Sequence, residues 1–282
     1  MYKRQPSGAG YALENRLVVS RVFPQMFRDL QVQHLADFFA AMRESLLAWA
    51  PKPDPGEGPP LIALLTPGPY NETYSEHALL ARYLGFALVE GSDLTVREGR
   101  VWLKSVEGLR RVHVLLRRQD DEYCDPLELR SDSALGVAGL VDCARRGTVL
   151  VANALGSGVI ESGALLGYLP ALSERLLGEP LRLPSVATWW LGEPAAFDDA
   201  WRHLDRLLIK PIDRAIRGGV RAPAVFGADL TAAHRQAWRQ RVAQNPGHYV
   251  AQEWVRLSQV PVIERRTGHL AARSVGLRVF AV

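Results

Sequence analysis

Cysteine is nearly absent from this chain of 282 residues, whose only thiols are Cys124 and Cys143. They form neither a Cys-x-x-Cys pair nor a zinc-ligand spacing, which argues against a disulfide-stapled scaffold or a thiolate metal centre and fits a reducing, cytoplasmic setting. Each reads as a packing thiol rather than a nucleophile. The seven histidines never occur as His-x-x-x-His, and no Gly-x-Ser-x-Gly elbow is present, so zincin and serine-hydrolase chemistry find no support. No apolar run approaches the ~20 residues of a membrane span, and the N-terminus lacks the apolar core of a signal peptide. Repeats and low-complexity tracts are also missing.

What is there has an ordinary globular composition, 48% hydrophobic and 23% charged, over a length that suits roughly two domains of about 100 to 200 residues each. The net charge of +4 and pI near 9.2 come mostly from arginines dispersed along the chain rather than gathered in a block. Dispersed cations favour small anionic ligands over nucleic acid. The chain closes on the apolar run Leu277-Arg278-Val279-Phe280-Ala281-Val282. An unpartnered strand of that kind invites aggregation, so the sequence is expected to be a fragment of a longer polypeptide that carries further domains.

Three parts are expected. Residues 1–58 form an N-terminal loop and helical segment. Pro6-Ser7-Gly8-Ala9-Gly10-Tyr11 suits a loop pressed against a ligand or another backbone, or an ordinary turn before a helix. Leu13 to Phe27 is mixed in pattern, Leu35 to Trp49 has helical spacing, and Pro51 to Pro60 reads as a linker. Residues 59–190 alternate strand and helix. The expected order is a strand at Leu61 to Leu65, a tight loop at Pro67 to Asn71, a helix from Ser75 to Leu84 capped by Ser75, and strands at Ala87 to Val89, Leu94 to Arg97, Val101 to Lys104 and Val112 to Leu116. A helix from about Ala134 to Arg146, a strand at Val149 to Ala152 and a helix after Ser162 complete this part. It is an α/β, Rossmann-like domain with a mainly parallel sheet, whose ligands collect beyond the carboxyl ends of the strands. Residues 191–282 are α+β. Helices at Ala195 to Leu204 and Thr231 to Gln244 are interleaved with strands at Leu207 to Pro211 and Tyr249 to Val255. A hairpin of Val260 to Glu264 with Val275 to Val282 turns near Thr267-Gly268.

Three polar clusters fall at expected strand ends. Tyr70-Asn71-Glu72 with Glu76-His77 opens a helix, where N–H groups can hold an anion but Glu76 can equally serve the helix dipole. Arg117-Arg118-Gln119-Asp120-Asp121-Glu122, followed by Asp125-Pro126, is either a solvated charge run or a carboxylate clamp with acids for an amine or a metal. Asn153-Ala154-Leu155-Gly156-Ser157-Gly158 hints at a dinucleotide turn, but position 161 is Glu161 rather than the third glycine, so a nicotinamide enzyme has little behind it. Lys210, inside the apolar run Leu207-Leu208-Ile209-Lys210-Pro211, is the most informative residue. A buried strand takes a lysine when its ammonium meets an anion, and an exposed edge strand takes one to discourage pairing. Arg217-Gly218-Gly219 further on can bring backbone N–H groups to phosphate oxygens.

The segments 6–16 and 65–72, the Arg117-Arg118 to Asp125-Pro126 cluster, segment 153–158 and Ile209-Lys210-Pro211 resemble, in order, the circularly permuted ATP-grasp proteins of type 2, whose fold is similar to glutathione synthetase and glutathionylspermidine synthetase. The resemblance implies an ATP-dependent carboxylate–amine ligase working through an acyl phosphate, with ATP and Mg²⁺ and with small-molecule or peptide substrates. It also implies a set of roles. Lys210, Arg118 and Arg278 would be the catalytic cations, Lys210 on the phosphates beneath Gly218 and Gly219. Gln252, Glu253, Trp254 and Val255 would be the hinge strand that reads adenine. The acceptor side would be lined by Ser7, Tyr70, Asn71, Glu76, Arg117, Arg118, Asp120, Asp121, Asn153 and Ser157.

The chain also departs from that family. Asp213-Arg214-Ala215-Ile216-Arg217 replaces a glycine-dense loop, and Gly163 or its neighbours stand where many members have a second lysine. The magnesium-binding acid and asparagine usually precede Pro6-Ser7-Gly8, where only Met1 to Gln5 stand here, so no metal ligand is assigned. These departures leave a catalytically degenerate binding or scaffolding module as the alternative.

Overall fold

A computed structural model describes residues 8–212 and 224–276. The expected site residues Ser7, Gly218, Gly219 and Arg278 lie outside the described residues. The chain divides between Gly158 and Val159 into two compact units.

The first unit opens with helices α1 (Ala9–Val22), α2 (Pro24–Asp29) and α3 (Ala36–Ala48). Leu13 to Phe27 is therefore helical rather than mixed, interrupted at Phe23 because Pro24 lacks the N–H to continue a helix but suits a first turn. The unit continues with β1 (Ile62–Leu65), α4 (Tyr74–Leu84), β2 (Ala87–Val89), β3 (Leu94–Arg97), β4 (Arg100–Ser105), β5 (Gly108–Arg111), β6 (Val114–Arg117), α5 (Leu140–Arg145) and β7 (Leu150–Ala152). Four strands make a parallel sheet in the order β2-β1-β6-β7, with Leu65 opposite Arg117. Both faces are covered, which is why β1 and the Val114-Leu115-Leu116 part of β6 read as apolar runs. Ile62, Leu64, Val114 and Leu116 pack with Leu13, Phe39, Leu46 and Leu80 from the N-terminal helices and α4. Ala63, Leu65, Leu115 and Val151 pack with Leu140 and Cys143 of α5 and with Val101 of the antiparallel β3-β4-β5 sheet.

Two expectations are corrected here. The strand foreseen at Val112 to Leu116 is β6, which begins at Val114 and reaches Arg117, while β5 just before it was not foreseen; the partner changes between the two, as Val112 N–H donates to Val101 O and His113 N–H to Leu61 O. The helix foreseen from Ala134 shrinks to Leu140–Arg145 because Gly139 is left-handed (φ 86°) and the buried Asp125 carboxylate holds the N–H groups of Gly139 and Val141.

The second unit holds α6 (Leu169–Leu177), β8 (Thr188–Trp190), α7 (Pro194–Arg202), β9 (Leu207–Pro211), β10 (Val225–Phe226), α8 (Ala232–Gln244), β11 (Tyr249–Glu253), β12 (Gln259–Ile263) and β13 (Leu270–Ser274). An antiparallel sheet runs β10-β9-β11-β8. Leu207, Ile209 and Ala251 bury one face against Leu191, Ala200, Leu204 and Val242. The return strand of the hairpin is Leu270–Ser274, earlier than foreseen, because the turn closes at once where Gly268 (φ 69°) donates its N–H to Glu264.

The boundaries expected at 58/59 and 190/191 do not follow these contacts. The N-terminal helices share a core with the parallel sheet, and β8 pairs with β11. Among the described residues, no helix is long and apolar enough to cross a membrane.

Candidate functional site

In the first unit the chain leaves β1 toward β2 over one face of the sheet and leaves β6 toward β7 over the other, so the topological switch point lies between the carboxyl ends of β1 and β6. Thr66 and Arg118 stand there, both buried, and the Arg118 N–H donates to Leu65 O at 2.7 Å.

A buried polar chain organises the loop after β1. Thr66 Oγ1 lies 2.9 Å from His77 Nδ1, and Thr73 Oγ1 lies 3.0 Å from His77 Nε2. Asn71 Oδ1 accepts from both the N–H and the hydroxyl of Thr73. This local turn does the work foreseen for a Ser75 cap, which is absent: Thr73 precedes the helix and makes no side-chain cap bond. Tyr70 is fully exposed at the loop tip. Glu76 is buried, accepts from the Gly10 N–H at 3.0 Å and lies 3.5 Å from the Arg118 guanidinium. The small residues of segment 6–11 thus serve a close backbone approach at Gly10, where a Cβ would stand 2.7 Å from Glu76 Cγ. Burial pulls the Arg118 pKa below its usual value, while Glu76 pushes it back up.

Arg117 is wholly buried. Its Nε donates to Asn153 O at 2.7 Å, one terminal nitrogen donates to Gln119 O at 2.7 Å, and the other donates to Ala154 O at 3.1 Å and Ser157 Oγ at 3.3 Å. It also pairs with Asp121, whose other oxygen accepts from the Gly156 N–H. The expected two-arginine clamp is therefore corrected: Arg117 ties the loop after β6 to the loop after β7, because its donors are spent on main-chain carbonyls, Ser157 and Asp121. Asp120 is buried and Asn153 exposed. Asp125, read as part of the same cluster, starts α5 instead. Burial pushes the Cys124 thiol up to about 12, with the Arg117 charge opposing, which fits a packing role.

In the second unit, strand alternation puts Lys210 opposite Ile209 in facing, on the side away from the apolar core. Lys210 is half-buried and donates from Nζ to Gln252 Oε1 at 2.7 Å. Gln252 Nε2 donates to Thr188 Oγ1 at 2.9 Å, and Thr188 in turn donates to Val186 O at 2.8 Å. The 3₁₀ turn Gly163–Gly167 covers the same face: Gly163 N–H donates to Ile212 O, and a Cβ on Gly163 would stand 3.5 Å from Val250, which is directly opposite Lys210.

The N–H groups of Glu253 and Trp254 donate to Ala187 O and Arg206 O, so these two of the four expected adenine-reading residues have their donors occupied. Glu253 is exposed, and Trp254 packs edge-on to Phe226 at 5.7 Å.

Sequence reasoning placed His77 in the first polar cluster but missed Thr73 and Thr188 as parts of these networks. Nothing local marks Thr188, whose partner is 64 positions away. Among the described residues, no group of three or more His, Cys, Asp or Glu side chains is placed to hold a metal ion.

A family model described as circularly permuted ATP-grasp type 2 matches residues 2–282. Two uncharacterized proteins of Mycobacterium tuberculosis are each 39% identical over 281 residues, which is 100% of this chain and 30% of one relative, and 99% of this chain and 49% of the other. An uncharacterized protein of Synechocystis is 36% identical over 260 residues, 92% of this chain and 53% of its own length. The chain thus spans about a third to a half of the curated relatives it matches. A solved structure of the ATP-grasp ligase PsnB complexed with minimal precursor aligns at a TM-score of 0.44 and 15% identity over 78% of each chain.

Proposed function

Because the chain belongs to the circularly permuted ATP-grasp type 2 family, we propose that the whole protein is an ATP-dependent carboxylate–amine ligase. A substrate carboxylate oxygen takes the γ-phosphoryl group and ADP leaves. The amine nitrogen then attacks the acyl carbon, sheds a proton, and phosphate departs as the C–N bond forms.

The observation that carries the reading is the setting of Lys210. A sheet with one apolar face turns a half-buried ammonium toward the other, where a neutral amide oxygen orients it. Such a cation balances phosphate charge in the ground state and as it shifts during transfer. Beneath the loop 67–73, the Glu76–Arg118 pair at the switch point is suited to orienting the carboxylate and amine partners of the reaction. Tyr70 and Asn71 stand on that loop above it.

Titration of the intact protein with Mg-ATP by calorimetry tests the reading. Binding is expected, and Lys210→Ala should weaken it about 10-fold or more. No binding, or equal binding by the variant, counts against it.

A second reading, a non-catalytic binding or scaffolding module, is favoured by Gly163. The resemblance puts a second lysine in this region, yet the glycine packs against Val250 and brings no charge. ATP turnover stimulated by an amine would reject that reading.

A further inference from the structure

We propose that Gln252 and Thr188 are positioning residues that aim the Lys210 ammonium at the polyphosphate of the nucleotide through a neutral amide. The inference rests on the nucleotide reading of Lys210 but concerns different side chains. Three adjacent strands contribute one residue each to a directed row. Lys210 on β9 donates to the amide oxygen of Gln252 on β11, the amide nitrogen donates to the Thr188 hydroxyl on β8, and that hydroxyl donates to Val186 O. Each link constrains the next. Because Thr188 Oγ1 gives its hydrogen to Val186 O, it can only accept from Gln252, so the amide must present its nitrogen to Thr188 and its oxygen to Lys210.

Thr188 itself is buried and its strand is held to β11 by the pairing of Thr188 with Gln252, so the anchor of the row is rigid. Lysine brings four rotatable bonds, and an ammonium on such a stem needs a fixed acceptor to be held in one place. A carboxylate at position 252 would also hold it, but would cancel the charge that a phosphate needs. A neutral amide holds it without that loss. The earlier expectation gave Gln252 a backbone role toward adenine; here its side chain acts toward the phosphate end.

The test uses the full-length protein and compares ATP with adenosine, which lacks phosphates, by calorimetry. Lys210→Ala should reduce ATP affinity and leave adenosine unchanged. If it changes neither, the nucleotide reading of Lys210 fails and this inference falls with it. If it acts as expected, Gln252→Glu should weaken ATP binding about 10- to 100-fold by pairing with the ammonium, with adenosine within about 2-fold. Thr188→Val keeps the shape and strand preference but removes the acceptor, and should cost ATP about 3- to 10-fold; Thr188→Ser should restore it. Loss of ATP and adenosine affinity in equal measure would show a merely structural role and overturn the proposal. So would unchanged ATP affinity in both variants while Lys210→Ala remains impaired.

Discussion

Gly10→Ala is the sharpest probe of how the N-terminal segment is built into the first unit. Gly10 lies in the first turn of α1, and in an open helix interior exchanging glycine for alanine gains about 1 kcal/mol. Here the added Cβ would stand 2.7 Å from Glu76 Cγ and 3.1 Å from both Glu76 Oε1 and Leu80 Cγ. None of these is the loose end of a surface side chain: Glu76 and Leu80 are buried, and Glu76 is held by the Gly10 N–H and by Arg118. Overpacking costs about 1 to 3 kcal/mol, and displacing Glu76 weakens a hydrogen bond worth about 1. After subtracting the helix gain, the substitution should destabilise by about 1 to 3 kcal/mol, a fall of about 2 to 12 °C in Tm. Gly58 has no atom within 4 Å of its would-be Cβ and is the control, expected within about 0.5 kcal/mol of wild type. Urea unfolding and thermal melts of the two variants read the difference. A Gly10→Ala protein as stable as wild type or more so would refute the close approach of α1 to α4.

Arg117→Met should destabilise by about 3 to 5 kcal/mol in urea titration, because it strands Asp121 and three carbonyls; a loss under about 1 kcal/mol would show that the guanidinium is not the tie between the two loops. The segment 51–60 is clamped to the sheet by Asp54 and Glu57 against Arg100, Arg111 and His113. Burial, aided by the Arg111 charge, lowers the His113 pKa from its usual 6.5, so the stability tied to its neutral ring is full above that value and drains as pH falls below it toward the lowered one. Hydrogen bonding from the Asp54 backbone, with Arg111 assisting, lowers Glu57 from 4.5, so its contribution drains in the same direction at still lower pH. Denaturant stability should therefore fall between pH 7.5 and 5, and fall less in His113→Asn, which keeps an acceptor for the Leu61 N–H; identical slopes would reject the clamp. Cys124, with its thiol at about 12, should resist alkylation at pH 7.5 until the protein unfolds, as mass spectrometry would record; rapid labelling of the native protein would contradict its burial.

Much of this architecture was legible in the residues. Strands alternating with helices announced a mainly parallel sheet, and Leu35 to Trp49 announced a helix by spacing. Elements decided by distant partners were not legible. β5, just before the strand foreseen at Val112 to Leu116, was not foreseen: the neighbour changes from β4 to β1 at His113, and no local pattern carries that information. The helix foreseen from Ala134 was cut short by a carboxylate from position 125.

By itself the sequence singled out Lys210 as a cation inside an apolar strand, and the tertiary structure decided that it faces away from the core, because Leu207 and Ile209 pack into the apolar side. The sequence likewise determined the family, through motifs kept in order. Only the tertiary structure decided that Arg117 is spent inside while Lys210 is steered by Gln252 and Thr188. Identical side chains become anchors or ligand contacts according to which donors and acceptors the fold brings within about 3 Å, and those partners come from elements far apart in the chain.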